Sequence, residues 1–343
     1  MKQVAVIILN WNGEKLLKRY LPHVIQHTNP DIADVIVADN GSTDGSLALL
    51  KAEFPQVKTL VFDQNYGYAE GYNKAIAGTS YDYTVLLNSD VRTSPNWLEP
   101  MLDHMQKHPE VAACQPKIIC DEHPEGYPDD SEIFEYAGAA GGFIDSHAYP
   151  YCRGRIFGVL EPDNGQYDTA PLPIFWATGA CLMVRSDVYN NVGGLDKHFF
   201  AHMEEIDLCW RIHLAGYEIC AISDSKIYHL GGGSLPAGNP RKTYLNFRNN
   251  LLLMHKNLPK RDARKMLFIR RLYDTLSIGM FLAKLQWKNA WAVVKAHRDF
   301  ATMRKRYPQN ATVNLLKSFP GCEINVVLQH FLLRRTKFTQ LKR

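Results

Sequence analysis

Between residue 4 and about residue 118, short runs of β-branched and aliphatic residues alternate with stretches of helical period. VAVIIL precedes a helical pattern over 14–26, VIVAD one over 44–54, VKTLVF one over 69–77 and YTVLLN one over 95–107, and VAACQPKI closes the series. Strands that alternate with helices pair in parallel, because each helix carries the chain back along the sheet. Strands covered on both faces read as unbroken apolar runs. The expectation is an α/β fold with a doubly wound, mostly parallel sheet. Such sheets bind ligands outside the carboxyl ends of their strands. Here those ends carry Asn10 and Asn12, Asp39 and Asn40, Asp63 and Asn65, and the triplet Asn88-Ser89-Asp90. One strand ending on short polar side chains is ordinary turn chemistry; four in succession would line one rim with amides and carboxylates.

The remaining sequence divides less evenly. Residues 121–175, rich in Gly, Pro, Tyr and Asp, read as irregular loops or hairpins beside the site. ATGACLMVR reads as a strand, with Ser186 capping a short helix that Gly193-Gly194 ends, and a helix over 204–215 stops at Gly216 before another strand. The 343 residues exceed one domain of roughly 100 to 200, and the pattern assigns 1–255 to the α/β domain and 256–343 to a helical, basic C-terminal region. The net charge of +4 hides an asymmetry: from His255 onward there are 20 Lys and Arg against 4 Asp and Glu, and before it 19 against 31. The apolar stretches of this tail, LSIGMFLAKL, WAVVKA and INVVLQHFLL, are shorter than the roughly 18 to 20 residues of a membrane span. Its basic helices suit either an anionic membrane surface or a solvated lobe packed on the main domain. They match no nucleic-acid-binding module. Seven scattered cysteines without a CxxC pair read as reduced thiols of a cytoplasmic protein. MKQVAVIILNWNG breaks at Asn10 before a signal-peptide core could finish. The location expected is the cytoplasm, with a peripheral position on the cytoplasmic face of the inner membrane as the variant that the tail allows.

Four segments could carry chemistry. In VIVADNGSTDGS, Asp39 could accept hydrogen bonds from the N–H of a uracil or thymine ring and from a ribose hydroxyl. The same residues also read as a turn capped by Ser42 or Thr43, with Asp44 favoured by the helix dipole. In VLLNSDV, Asp90 is a candidate ligand for Mg2+ or Mn2+, hard cations that use one or two carboxylates and keep positions for water and for phosphates such as the pyrophosphate of a sugar nucleotide; Asn88 could support such a donor. In HMEEIDLCWR, Asp207 and Arg211 are i,i+4 partners. Glu204 and Glu205 at the first turn are either dipole-favoured structural acids or include a general base, a role that contributes about 10²- to 10⁴-fold. In KIYHLGGGS, His229 is a metal ligand, a phosphate contact or a structural histidine, with glycines that allow close backbone approach.

Taken in order, VIILNWNG, VIVADNGSTDGS, QNYGYAEGYNKAI, VLLNSDV, WATGACLMVRSDVYNNVGGLDKHFF, MEEIDLCWR and HLGGGS resemble the family 2 glycosyltransferases, particularly the bacterial rhamnosyltransferase-like branch that builds surface polysaccharides. The resemblance implies a GT-A fold and an inverting, metal-dependent transfer from a UDP- or dTDP-sugar to a glycan or lipid-linked acceptor. By it, Asp39 matches the nucleobase-binding aspartate, and Asn88-Ser89-Asp90 matches the DXD motif with Asp90 as its metal-associated acid. Gly67, Tyr68, Gly71 and Asn73 match the segment beneath the donor, with Asn10, Asn12 and Asn65 on the same side. Glu204-Glu205 falls on the Glu-Asp motif whose second member is the base, which makes Glu205 the candidate. His229 falls where related enzymes place a histidine near the metal or pyrophosphate. Trp176, Thr178 and Gly179 would face the acceptor, with Trp176 either stacking on a sugar or lying in the core. Two positions depart from the pattern: Asn88 replaces the first acid of DXD, and Glu205 is a methylene longer than the usual aspartate. A nucleotidyltransferase would place a Gly-rich, basic loop after the first strand, where LNWNGEK has one glycine and one lysine. A non-catalytic glycan- or nucleotide-binding scaffold of the same fold is the other alternative.

Overall fold

The computed structural model describes residues 2–169, 171–231 and 238–342. Its first half contains β1 (Val4–Asn10), β2 (Ala33–Asp39), β3 (Lys58–Val61), β4 (Tyr83–Leu87), β5 (Val91–Thr93) and β6 (Val111–Cys120). These are joined through α1 (Glu14–His27), α2 (Ser46–Glu53), α3 (Gly67–Ala77) and α4 (Glu99–Lys107). The irregular-looking segment that follows holds β7 (Gly142–Ile144), β8 (Pro150–Cys152), β9 (Arg155–Ile156) and β10 (Val159–Leu160), a small antiparallel sheet of hairpins. The chain returns to the central sheet with β11 (Leu172–Pro173), β12 (Cys181–Arg185), α5 (Ser186–Asn191), α6 (Glu204–Leu214) and β13 (Glu218–His229). It ends in α7 (Pro240–Asn257), α8 (Lys260–Ala283), α9 (Trp287–Met303) and the short α10 (Val326–Phe331).

The central sheet runs β11-β13-β6-β12-β4-β1-β2-β3, with β5 also paired to β13. β1, β2, β3 and β4 are parallel, as are β6 and β13. β6, however, does not neighbour β4: β12 lies between them, antiparallel to both. Cys181, Leu182, Met183 and Val184 of β12 are wholly buried, and an apolar strand buries both faces only in the interior of a sheet. Two cores explain the unbroken runs. Val4, Val6 and Ile8 of β1 face Leu17 and Leu21 of α1, Leu49 of α2 and Met101 of α4, while Ala5 and Ile7 face Ala69 and Tyr72 of α3 and Leu208 of α6.

Three local expectations shift. α4 starts at Glu99 rather than near Pro95, because Asn96 is left-handed at φ 56° and a right-handed helix cannot pass through it. α2 starts at Ser46 with Gly45 as its N-cap, so neither Ser42 nor Thr43 is the cap. Asp44 instead precedes the helix and accepts from the Ser46 and Glu14 N–H groups. Ser186 is the first helical residue rather than the cap, and its hydroxyl bonds that of Thr84. The expected division at 255/256 falls inside α7, a continuous helix to Asn257. All seven cysteines are unpaired. Among the described residues, no helix is long and apolar enough to cross a membrane.

Candidate active site

The parallel register that sets Asn10 opposite Asp39 builds the first wall of the rim. Asn10 Nδ2 donates to Asp39 Oδ2 (2.9 Å) and Ser42 Oγ (3.2 Å), and the Ser42 N–H donates to Asp39 Oδ1 (2.9 Å). Asp39 is completely enclosed, with both carboxylate oxygens already accepting from Asn10 and Ser42. Asn12, left-handed at φ 51°, accepts from the Thr43 N–H at 2.7 Å and donates its own N–H to Ser42 Oγ. Asn40, not singled out for a role in the sequence, ties this wall to the next: its amide bonds Asn65, the Gly67 carbonyl and the Tyr66 N–H, and Asn65 in turn accepts from the Gly67 N–H. Gly71 lets α3 approach β1, since a Cβ there would come within 2.9 Å of Leu9. Between Asn10 and Asn12, Trp11 stands 56% exposed, a flat apolar face at the rim suited to stacking on a ring. An aromatic residue in a polar strand exit was its only sequence signal.

The second wall joins residues far apart in the chain. β13 pairs with β5 so that His229 lies opposite Val91, which brings His229 Nε2 to 3.1 Å from Asp90 Oδ1 and 3.4 Å from Asn88 Nδ2. On the other side of the ring, Nδ1 lies 3.3 Å from Glu135 Oε2 at an ion-pair distance without hydrogen-bond alignment. Burial by itself would lower the pKa of His229, but the adjacent Asp90 and Glu135 carboxylates raise it to about 10. Burial would raise Asp90, yet His229 holds it below the usual carboxylate range. Glu135, a buried carboxylate orienting the imidazole, sits in a stretch with no periodic pattern, and a histidine beside a metal commonly has such a partner. Gly231 is left-handed at φ 67°. Gly232, Gly233 and Ser234 of the glycine loop lie outside the described residues.

Glu204 and Glu205 begin α6 at the end of a distorted approach in which Phe200, His202 and Met203 all have positive φ, from 67° to 71°. Such conformations persist only where the surroundings enforce them and cluster at functional sites. Here α7 supplies the enforcement. The buried Asn249 amide donates to the carbonyls of Phe199, Ala201 and His202 at 2.9, 2.9 and 2.7 Å, and Arg248 holds those of His198 and Phe199. The helix start is anchored through Asp207, which accepts from Arg211, Lys256 and Asn257. The expected Asp207–Arg211 pair is therefore half of a network reaching α7. Both glutamates keep a buried Oε2 without a hydrogen-bond partner. Burial raises the pKa of Glu205 to about 7; burial and the neighbouring Glu205 charge drive Glu204 well above its ordinary value. Asn249→Ala leaves buried carbonyls unpaired at about 1–3 kcal/mol each. Urea unfolding is expected to show a loss of about 2–4 kcal/mol, with turnover falling more than nucleotide affinity because the acids lose their placement.

The structure places some expected site residues elsewhere. Trp176 and Thr178 are buried, the indole N–H donating to the Phe143 carbonyl (2.7 Å) and Thr178 bonding Gln115 and Ala180, so Trp176 takes the core position that was one of its two readings. Asn73 spends its amide on Leu195 and Tyr189, so it braces α3 against the loop before α6. Gly179 is half-exposed and accepts from the Tyr68 hydroxyl at 2.8 Å, and a Cβ there would meet that hydroxyl at 2.5 Å. Tyr68 also feels the charges of Glu204 and Glu205, and the Asn88 N–H bonds the Ala180 carbonyl. Through Tyr68, Gly179 and Ala180 the acid pair thus connects to the Asn88–Asp90 strand end.

The sequence model of Glycosyl transferase family 2 matches residues 5–187. The chain belongs to this family. It is rhamnosyltransferase-like: N-acetylglucosaminyl-diphospho-decaprenol L-rhamnosyltransferase of Mycobacterium tuberculosis is 27% identical over 248 residues, covering 66% of this chain and 75% of that protein. The O-antigen biosynthesis protein RfbC of Myxococcus xanthus is 23% identical over 231 residues, 66% of this chain and 17% of that one. Among solved structures, GalNAc-T7 with UDP, GalNAc and Mn2+ superposes with a TM-score of 0.58 at 14% identity, over 90% of this chain and 58% of that one. Residues 1–349 of S. aureus TarS superpose with a TM-score of 0.55 at 16% identity, over 87% and 80%. At such identities the likeness establishes the fold, GT-A. This family 2 glycosyltransferase therefore carries its strand-end rim where the fold class binds ligands.

Proposed function

We propose that this glycosyltransferase moves a sugar from a UDP- or dTDP-linked donor to a hydroxyl of a lipid-linked or glycan acceptor in cell-surface polysaccharide synthesis, by one inverting displacement in the cytoplasm. The observation that carries the reading is the pair of carboxylates that open α6, each with a buried Oε2 that has no hydrogen-bond partner, the pKa of one raised to about 7. A general base works best with a pKa near the working pH, so Glu205 is the base, and beside it burial and the Glu205 charge raise Glu204 well above its ordinary value. Glu205 takes the proton of the acceptor hydroxyl as that oxygen bonds the anomeric carbon, and the bond to the diphosphate breaks with its electrons leaving on oxygen. Trp11, Asn65 and the Gly67–Gly71 segment form the donor side, with Asp39 behind the Ser42 loop. Residues 1–255 supply the rim, and the end of α7 beyond them completes the support of the acids.

Asp90 and His229 would hold Mg2+ or Mn2+. They present a carboxylate and an imidazole 3.1 Å apart, a donor set that fits such an ion once the proton held between them is displaced, since only a neutral imidazole can ligate. Among the described residues no three His, Cys, Asp or Glu side chains are arranged to hold one unaided, so phosphate and water would complete the shell. When bound, the cation would offset charge gathering on the departing diphosphate. The Mn2+ in the GalNAc-T7 structure and in that of a Pyrobaculum calidifontis mannosyltransferase with GDP-Man supports the same chemistry, and the decaprenol in the mycobacterial relative's name supports a lipid-linked acceptor. A thermal-shift panel of nucleoside diphosphates with and without Mn2+, followed by NMR of the anomeric product, tests this. UDP or dTDP should stabilise the protein more with Mn2+ than without, and the product should be inverted. No shift with any nucleotide would point to the scaffold alternative, and a retained anomer would rule out a single displacement.

A further inference from the structure

α8 and α9 form a helical hairpin packed on α7, and its outer face combines two features. Phe268, Leu272, Leu276 and Met280 recur every fourth residue of α8 and are all exposed, a spacing that stacks them on one side of the helix. Trp287, Trp291 and Val294 repeat the geometry on α9, with the two indoles 63% and 62% exposed. The exposed charges of the hairpin, Arg264, Lys265, Arg271, Lys284 and Lys288 among them, are basic. The acids of the hairpin are engaged elsewhere: Asp262 pairs with Lys317, Asp274 is buried against Arg270 and His297, and Asp299 accepts from Tyr244.

An apolar stripe of this extent marks an interaction surface, and the charges identify its partner. A second copy presenting the same face would set basic residues against basic residues, which opposes association. An anionic bilayer supplies both acyl chains for the stripe and phosphates for the Lys and Arg heads, and tryptophan is enriched at that depth. We propose that the outer face of the α8–α9 hairpin lies flat on an anionic lipid membrane. Its Phe, Leu, Met and Trp side chains enter the boundary between headgroups and acyl chains, and its basic side chains extend to the phosphates. The inference stands apart from the reaction proposed above, since vesicle binding needs neither donor nor turnover.

Co-sedimentation of the full chain with phosphatidylcholine vesicles, and with vesicles enriched in phosphatidylglycerol, tests it. Binding is expected only to the anionic vesicles and should weaken as salt rises. Each near-surface Lys or Arg contributes a factor of about five, so R264A/K265A should weaken binding roughly 25-fold. L276E/W291E should abolish it while circular dichroism and melting stay unchanged, because both side chains are exposed. Equal binding to neutral vesicles, or wild-type binding by L276E/W291E, would overturn the proposal. Absence of vesicle binding together with a dimer that L276E/W291E splits in the ultracentrifuge would assign the face to a second copy instead.

Discussion

Glu205→Gln is expected to lower kcat by about 10²- to 10⁴-fold and, at alkaline pH, to make the protein more stable. The two effects share one cause, a carboxyl buried at the start of α6 whose pKa is raised to about 7 from 4.5. Because the folded value lies above the unfolded one, the stability contributed by this group is present below the unfolded pKa and is lost as pH rises through 7. By pH 8 the cost of ionising it in place is about 3 kcal/mol. Glutamine has the same shape and nothing to ionise. The variant's advantage in urea unfolding should therefore be near zero at pH 4 and about 3 kcal/mol at pH 8, while turnover of the unmodified enzyme climbs as pH passes through 7. Glu204, whose pKa burial and the neighbouring Glu205 charge push well above its ordinary value, is not the proton acceptor in this reading, so Glu204→Gln should change both properties less. A Glu205→Gln enzyme with normal turnover, beside an inactive Glu204→Gln enzyme, would exchange the two roles.

Asp90→Asn should cost about 10²- to 10⁴-fold in kcat/KM, the scale of several kcal/mol of lost charge stabilisation. It should also remove the extra thermal shift that Mn2+ gives to a bound nucleoside diphosphate. The substitution keeps the shape of the β4–β5 turn but takes away the carboxylate 3.1 Å from His229 Nε2. Of the two carboxylates beside its ring His229 then keeps only Glu135, so its pKa should fall from about 10, which histidine NMR can follow. That readout separates a lost ligand from a misfolded loop, since a merely disordered turn would also release His229 from Glu135. Full Mn2+ dependence in Asp90→Asn would remove Asp90 from the cation site.

How much of this was legible beforehand follows from the range of the interactions involved. The runs ending at Asn10, Asp39 and Leu87 are local patterns, and a strand that must be apolar on both faces announces itself over a few residues. The acids at the start of α6 are likewise visible, because a helix N-terminus and its dipole are properties of one turn. Trp176 shows the limit. An aromatic residue beside Thr178 and Gly179 reads equally as a stacking platform or as core, and only the Phe143 carbonyl that takes its indole N–H decides. The position of β12 between β4 and β6 was hidden for the same reason, since a strand's sequence records that it is buried but not which neighbours bury it.

The sequence by itself determined the family, the α/β alternation, the rim of Asn and Asp residues and the acid pair, all carried by order and spacing along the chain. Tertiary structure alone decided that the β13–β5 register lays His229 beside Asp90 and that Glu135 holds the far side of its ring. It also decided that Asn249 of α7 clamps the left-handed approach to Glu204 and Glu205. Those contacts join residues as many as 139 apart, and whether two such side chains meet depends on sheet register and helix packing, which no local pattern encodes.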